Sequence, residues 1–203
     1  MKIKVCGLRR RADCELAHEL GAAHLGFVLA PDSPRCIGVD ELALLLPDLP
    51  AAIAPVLVFR AAPALVVRRA AECLGVERVQ LHRCADEANA ELEAAGLRVH
   101  RVREADRFDG ELCAFEPAPS AERPWLIDVG GGGSGRRFDW NRLPAEPPAH
   151  VWVAGGIGPE HVAELAARAV YGADLSSALE RAPGIKDPDR MRALFGALET
   201  TPR

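Results

Sequence analysis

No stretch of this 203-residue chain is long and apolar enough to read as a membrane helix. The longest run without Asp, Glu, Lys or Arg, Pro147 to Pro159, is 13 residues and contains His150 and three prolines, against the roughly 18 or more apolar residues that a span needs. The first residues, MKIKVCGLRRR, are charged almost from the start and hold no apolar h-region. No secretory signal is read, and a cytoplasmic protein is expected. A concentrated basic face is also lacking: 25 Lys plus Arg stand against 29 Asp plus Glu, a formal net charge of −4, and the one arginine run, Arg9 to Arg11, is short. Nucleic acid is therefore not an expected partner. The six cysteines, Cys6, Cys14, Cys36, Cys73, Cys84 and Cys113, form no CxxC pair, and the six histidines are equally scattered. That fits neither a disulfide framework nor a structural zinc site, and no metal or cofactor is expected.

What is present is the composition of one soluble globular domain, 49% hydrophobic and 27% charged, with no linker or low-complexity tract to divide residues 1–203. Short β-branched runs alternate with longer amphipathic stretches. Strands are read at Lys2 to Val5, His24 to Val28, Pro55 to Val58, Arg78 to Leu81, Arg98 to Val102, Trp125 to Asp128, Val151 to Ala154 and Tyr171 to Leu175. Helices are read between them at Ala12 to Leu20, Val39 to Leu46, Pro63 to Leu74, Ala85 to Ala95, Pro159 to Ala167 and Pro188 to Leu198, with weaker candidates at Arg103 to Phe108 and Trp140 to Leu143. Repeated strand–helix units belong to the α/β class, as a doubly wound open sheet or a closed (β/α)8 TIM barrel. Eight of them favour the barrel, and 203 residues lies near the lower limit of a fold that typically takes about 250.

The barrel expectation gives the strand ends chemical meaning, because its active sites lie at the C-terminal face. Cys6 ends strand one and Asp128 ends strand six, so a thiolate and a carboxylic acid stand on one rim as a proton-transfer pair. Arg35, in the proline-restricted loop PDSPRCIG after strand two, offers a planar fork suited to a carboxylate. Gly155 and Gly156 after strand seven, with Ser176 and Ser177 after strand eight, converge where this fold builds phosphate sites, the serines opening a short helix toward Pro183 and Gly184. The run VGGGGSGRR matches G-x-G-x-x-G through Gly130, Gly132 and Gly135, but FDWNRLP follows where a dinucleotide site needs a long helix, and Arg136 and Arg137 replace the P-loop Lys and Ser or Thr. It is read as a loop at the barrel mouth whose backbone can approach a ligand.

Taken together, KVCGL at Lys4 to Leu8, HLGFVLAPDSPRCI at His24 to Ile37, VQLH at Val79 to His82, GGSGRRFDW at Gly132 to Trp140, VAGGIGPEHV at Val153 to Val162 and ADLSSALERAPGIKD at Ala173 to Asp187 resemble the phosphoribosylanthranilate isomerase family of tryptophan biosynthesis. The pieces occur in the family's order and span nearly the whole chain. The resemblance implies an isomerase that needs no cofactor and carries N-(5-phosphoribosyl)anthranilate through an Amadori rearrangement, with this phosphosugar as its small-molecule partner, in a monomer or a homodimer. It implies Asp128 as general acid, Cys6 as general base and Arg35 on the anthranilate carboxylate. It places the phosphate on Gly155, Gly156, Ser176 and Ser177, and Gln80, His82, Gly133 and Asp174 among the substrate-binding residues.

The sequence departs from the family pattern in four places. The loop after Asp128 is short, Arg83 and Ala178 replace glycines, and Arg60 stands where an asparagine is usual. These leave as the alternative a phosphosugar-binding barrel that is non-catalytic or altered in specificity. The related histidine-pathway isomerase uses a pair of aspartates, which Cys6 at strand one argues against. Indole-glycerol phosphate synthase would need a catalytic lysine and glutamates, and strand two offers neither.

Overall fold

The computed structural model describes residues 1–107, 114–129 and 139–200. Its order is β1 (Lys2–Cys6), α1 (Arg11–Glu19), β2 (His24–Val28), α2 (Val39–Leu45), β3 (Pro55–Arg60), α3 (Ala64–Leu74), β4 (Arg78–His82), α4 (Asp86–Ala94), β5 (Arg98–Glu104), β6 (Trp125–Asp128), β7 (Val151–Ala154), α5 (Pro159–Ala167), β8 (Gly172–Leu175), β9 (Glu180–Ala182), β10 (Ile185–Lys186) and α6 (Pro188–Glu199). Strands β1 to β8 pair in parallel in sequence order, and β8 closes on β1 with Lys4 opposite Asp174, so the eight-stranded barrel is complete.

Alternation along each strand separates two interiors. Ile3, Val5, Leu25, Phe27, Leu57, Phe59, Val79, Leu81, Val151 and Val153 join the large apolar cluster that also holds Val67, Leu92, Val162, Leu165, Met191 and Leu194 of the helices. The bore of the barrel is filled by the alternate residues. Cys6, Val28 and Val58 form one small cluster there, and Leu126, Trp152 and Ala154 another. Trp152 fills the N-terminal end so closely that a Cβ on Gly172 would lie 2.4 Å from its ring.

Helix ends follow local chemistry. Gly75 closes α3 in the left-handed region at φ 62°. Asp187 caps α6, its side chain accepting from the Asp189 and Arg190 amides, with Pro188 in the first turn.

Three readings from sequence are corrected. The weak helix at Arg103 to Phe108 is β5 as far as Glu104 followed by a 3-10 turn at Ala105–Arg107, and Phe108 lies outside the described residues. The weak helix at Trp140 to Leu143 is likewise one 3-10 turn, Trp140–Arg142. The short helix expected after Ser176 is a 3-10 turn at Ser177–Leu179 that passes into the antiparallel β9–β10 hairpin. Pro183 stops a helix there, and Gly184, at φ 75°, turns the chain back.

Candidate active site

The C-terminal strand ends surround one open pocket. Cys6 of β1, Arg35 after β2, Gln80 and His82 of β4, Asp128 of β6, Gly155 and Gly156 after β7, Asp174 of β8, and Ser176 and Ser177 beyond it all line this one cavity. Residues from six strand ends are thus gathered at one mouth. Gly133 lies outside the described residues, as does the loop that carries it.

The polar side of the pocket is buried. Lys4, two residues before Cys6 and on the same face of β1, is 1% exposed and donates from Nζ to Asp174 Oδ2 at 2.7 Å. Burial by itself would lower the Lys4 pKa, but Asp174 and Cys6 together raise it, so the ammonium persists. The Cys6 thiol is pushed up by burial and by Asp174, while Lys4 and Lys186 pull against that shift. Gly26 makes room for the thiol: a Cβ there would lie 2.7 Å from Cys6 Sγ. Asp128 is raised to about 7, first by burial and then by the charge of Asp174. A carboxyl group with that value holds a transferable proton near neutral pH.

His82 contributes no charge, because burial and the cations Lys4, Arg60 and Arg83 depress it to about 3. Its Nε2 lies 2.8 Å from Gln80 Nε2. An amide nitrogen can only donate, so with the amide in this orientation the ring proton sits on Nδ1, 3.8 Å from Asp128 Oδ2. Gln80 Oε1, His82 Nδ1 and Asp174 Oδ1 are buried polar atoms without a hydrogen-bond partner among the described residues. All three residues line the pocket, so a bound polar molecule would satisfy groups that the fold leaves unpaired.

At the opposite side, Gly155 and Gly156 both take positive φ, 93° and 60°, a conformation that side chains rarely adopt. Ser176 Oγ donates to the Cys6 carbonyl at 3.1 Å and ties the end of β8 to the end of β1. Arg35 is held by Glu180 through Nε and Nη2, and Arg60 pairs with Asp32 at 2.8 Å on the pocket wall. Arg83 keeps a φ of 55° and pairs with Glu104 at 3.0 Å. Ala178 is not among the positive-φ residues, so its backbone makes no demand for glycine.

Lys4, Glu180 and Lys186 are the site-adjacent residues that the sequence reading passed over. Lys4 carried a signal: a charged residue at an inward position between Ile3 and Val5. The partners of Glu180 and Lys186 lie up to 180 residues away, beyond any local pattern. Among the described residues, no group of three or more His, Cys, Asp or Glu could hold a metal ion, and no helix is long and apolar enough to cross a membrane.

The chain is similar to known proteins over nearly its full length. The family model for N-(5'phosphoribosyl)anthranilate (PRA) isomerase matches residues 3–197. An N-(5'-phosphoribosyl)anthranilate isomerase of Citrifermentans bemidjiense is 36% identical over 200 residues, covering 96% of this chain and 95% of its own. One of Magnetococcus marinus is 37% identical over 202 residues, covering 98% and 95%. The crystal structure of phosphoribosyl anthranilate isomerase from Thermus thermophilus superposes with a TM-score of 0.86 at 34% identity, covering 98% of this chain and 99% of that one. With the closed barrel and the mouth pocket already established, these likenesses place the chain in the N-(5'-phosphoribosyl)anthranilate isomerase family of tryptophan biosynthesis.

Proposed function

We propose that the chain carries out the family's rearrangement with Asp128 as acid and Cys6 as base. The observation that carries this reading is a buried carboxyl group raised to about 7 and a buried thiol beside a lysine ammonium, both lining one pocket. Asp128 gives its proton to the furanose ring oxygen of N-(5-phosphoribosyl)anthranilate. The C1–oxygen bond breaks as the nitrogen lone pair forms the C1 iminium. Cys6 thiolate then removes the C2 proton, which the adjacent iminium has acidified, and the electron pair moves to give an enolamine. Protonation at C1 and loss of the C2 hydroxyl proton yield 1-(2-carboxyphenylamino)-1-deoxyribulose 5-phosphate. Each turnover leaves Asp128 one proton short and Cys6 one proton richer, and transfer between them resets the site.

Arg35 takes the anthranilate carboxylate in this reading. The Gly155, Gly156, Ser176 and Ser177 backbones take the phosphate, and Gln80, His82 and Asp174 supply hydrogen bonds to the sugar. Lys4 favours the Cys6 thiolate by its charge. The resting protonation is the reverse of the working one, since the carboxyl group ionises near pH 7 while the thiol holds its proton above its usual range. The reactive state is then the minor tautomer of the singly protonated pair.

The test is an isomerase assay that generates the substrate in place and follows loss of its fluorescence. Cys6→Ala and Asp128→Asn are each expected to lose about 10²-fold or more in kcat while remaining folded. The wild-type profile should be bell-shaped, rising through about pH 7 and falling above the cysteine's pKa. Wild-type protein that binds a reduced product analogue without turnover would replace this reading with that of a binding barrel.

A further inference from the structure

Arg35 enters the pocket already partnered. Its Nε lies 2.9 and 3.0 Å from the two Glu180 carboxylate oxygens, and its Nη2 lies 2.7 Å from Oε2. Glu180 thus occupies the Nε–Nη2 edge of the guanidinium in a two-point clasp. The Nη1–Nη2 edge is left, and Nη1 has no hydrogen bond to any described residue. A planar fork has two such edges, each matched to one carboxylate. The aliphatic stem is fixed as well, lying so close over Gly7 that a Cβ there would approach Arg35 Cδ to 2.7 Å.

Glu180 is itself held. Lys186 Nζ donates to Glu180 Oε1 at 2.9 Å, to the Cys6 carbonyl at 2.6 Å and to the Ser176 carbonyl at 3.1 Å, which uses all three of its protons. The Gly184 amide donates to Glu180 Oε1 at 3.3 Å, and Arg190 Nη1 to the Glu180 carbonyl at 2.6 Å. The β9–β10 hairpin, which no strand of the barrel requires, delivers both Glu180 and Lys186 to this point. Charge makes the arrangement more than an internal ion pair. Arg35 with Glu180 alone would be neutral, whereas Lys186, a buried ammonium whose pKa burial lowers and Glu180 raises back, brings the three-residue unit to +1, with Arg35 the member that lines the cavity. One anion is what such a unit can take without leaving a buried charge uncompensated.

We propose that Glu180, locked by Lys186, is a positioning residue that aims the free edge of Arg35 at the substrate's ring carboxylate and so sets the preference of the site for a carboxylated arylamine. This rests on the reading of Arg35 as the carboxylate clamp. It assigns the preference to a residue that does not line the pocket.

The experiment compares the binding of two inhibitors, the reduced product analogue and its counterpart lacking the ring carboxylate. It uses wild type, Arg35→Met, Glu180→Gln and Glu180→Asp. Wild type should prefer the carboxylated analogue by about 10²-fold, and Arg35→Met should abolish that preference. Glu180→Gln turns an amide N–H toward the guanidinium. It should lower the preference about tenfold through the carboxylated analogue alone, raising KM with kcat within about twofold. Glu180→Asp, which keeps the charge, should retain more of the preference, and it serves as the test if the glutamine variant does not fold. If Arg35→Met abolishes the preference and the Glu180 variants keep it whole, the positioning role is overturned and the clamp stands. If Arg35→Met leaves the preference intact, the clamp itself fails and the role of Glu180 falls with it.

Discussion

The two ends of the barrel bore hold imidazoles in opposite ways. At the N-terminal end His24 stacks on Trp152 with ring centroids 5.0 Å apart and 25° between planes, and His100 meets His24 edge-on at 5.3 Å. Tyr171 closes the group against Trp152 at 79°. These rings serve as flat packing surfaces. At the C-terminal end His82 touches no aromatic ring among those described, and it is paired with Gln80 beside a carboxyl group instead. Lys4 lies between the two ends, and its charge helps to depress all three histidines. Both ends hold buried polar atoms without a hydrogen-bond partner among the described residues, His24 Nδ1 at the one and Gln80 Oε1, His82 Nδ1 and Asp174 Oδ1 at the other, but only the second set belongs to residues that line the pocket. Stability and chemistry are thereby divided along one bore, and each end can be damaged with a different consequence.

The largest expected effect breaks the packed end. Trp152 is 2% exposed and fills the space that Gly172 leaves open. Trp152→Ala should cost about 3–5 kcal/mol of stability, measured by denaturant unfolding. At a temperature where the variant is still folded, its KM and kcat should stay within about threefold of wild type. A loss of turnover without a loss of stability would show that the two ends are not divided as described.

Acid should expose what the ends share. His24 and His82 are lowered to about 3, first by burial, and His100 is lowered well below its usual value for the same cause. The unfolded chain binds these protons near pH 6.5 and the folded chain does not. Their contribution is thus present above pH 6.5 and is lost as pH falls toward 3, at about 1.4 kcal/mol per pH unit for each histidine. Over the fall from pH 6.5 to pH 4, His24 and His82 together remove about 7 kcal/mol, partly offset by the proton that Asp128 retains, against a stability of about 5–15 kcal/mol. Unfolding followed at pH 7, 6, 5 and 4 should show this accelerating loss, and a flat response down to pH 4 would contradict the burial of the neutral rings.

The legible part of the molecule is the part written in short-range pattern. The ends of strands one and six, read from the β-branched runs, place Cys6 and Asp128 at the mouth, where both line the pocket, whereas Gln80, His82 and Asp174 enter through the family resemblance. The β9–β10 hairpin was not legible, since strands of three and two residues are too short to alternate. Nor was the clasp on Arg35, because its carboxylate lies 145 residues along the chain. A loop arginine looks the same in sequence whether it waves in solvent or is gripped by a buried glutamate.

The mouth should respond to substitution with the opposite sign from the packed end. Asp128 is raised to about 7 from an ordinary value of 3.8. The folded chain holds its proton more tightly than the unfolded one, so its contribution is complete below pH 3.8 and is lost as pH rises through 7. Above that, a buried carboxylate is a liability of up to about 4 kcal/mol. Asp128→Asn, which keeps the shape and removes the ionisation, should raise Tm at pH 8 and leave it nearly unchanged at pH 4, while abolishing turnover. Stability gained where activity is lost is the expected mark of a site selected for chemistry.

The smallest effect sharpens the comparison at the rim. Arg83 sits in the left-handed region at φ 55°, where the family pattern has glycine, and a side chain in that conformation costs about 1–2 kcal/mol. Its ion pair with Glu104, at 3.0 Å, offsets part of this: the arginine side chain is 40% exposed, and a half-wet pair contributes at most about 1 kcal/mol. Glycine would relieve the strain, lose the pair and loosen the unfolded chain. Arg83→Gly should therefore change stability by less than about 1 kcal/mol in either direction. A swing larger than that in high salt, where the pair is screened, would mean that the backbone at Arg83 is doing more than turning the chain out of β4.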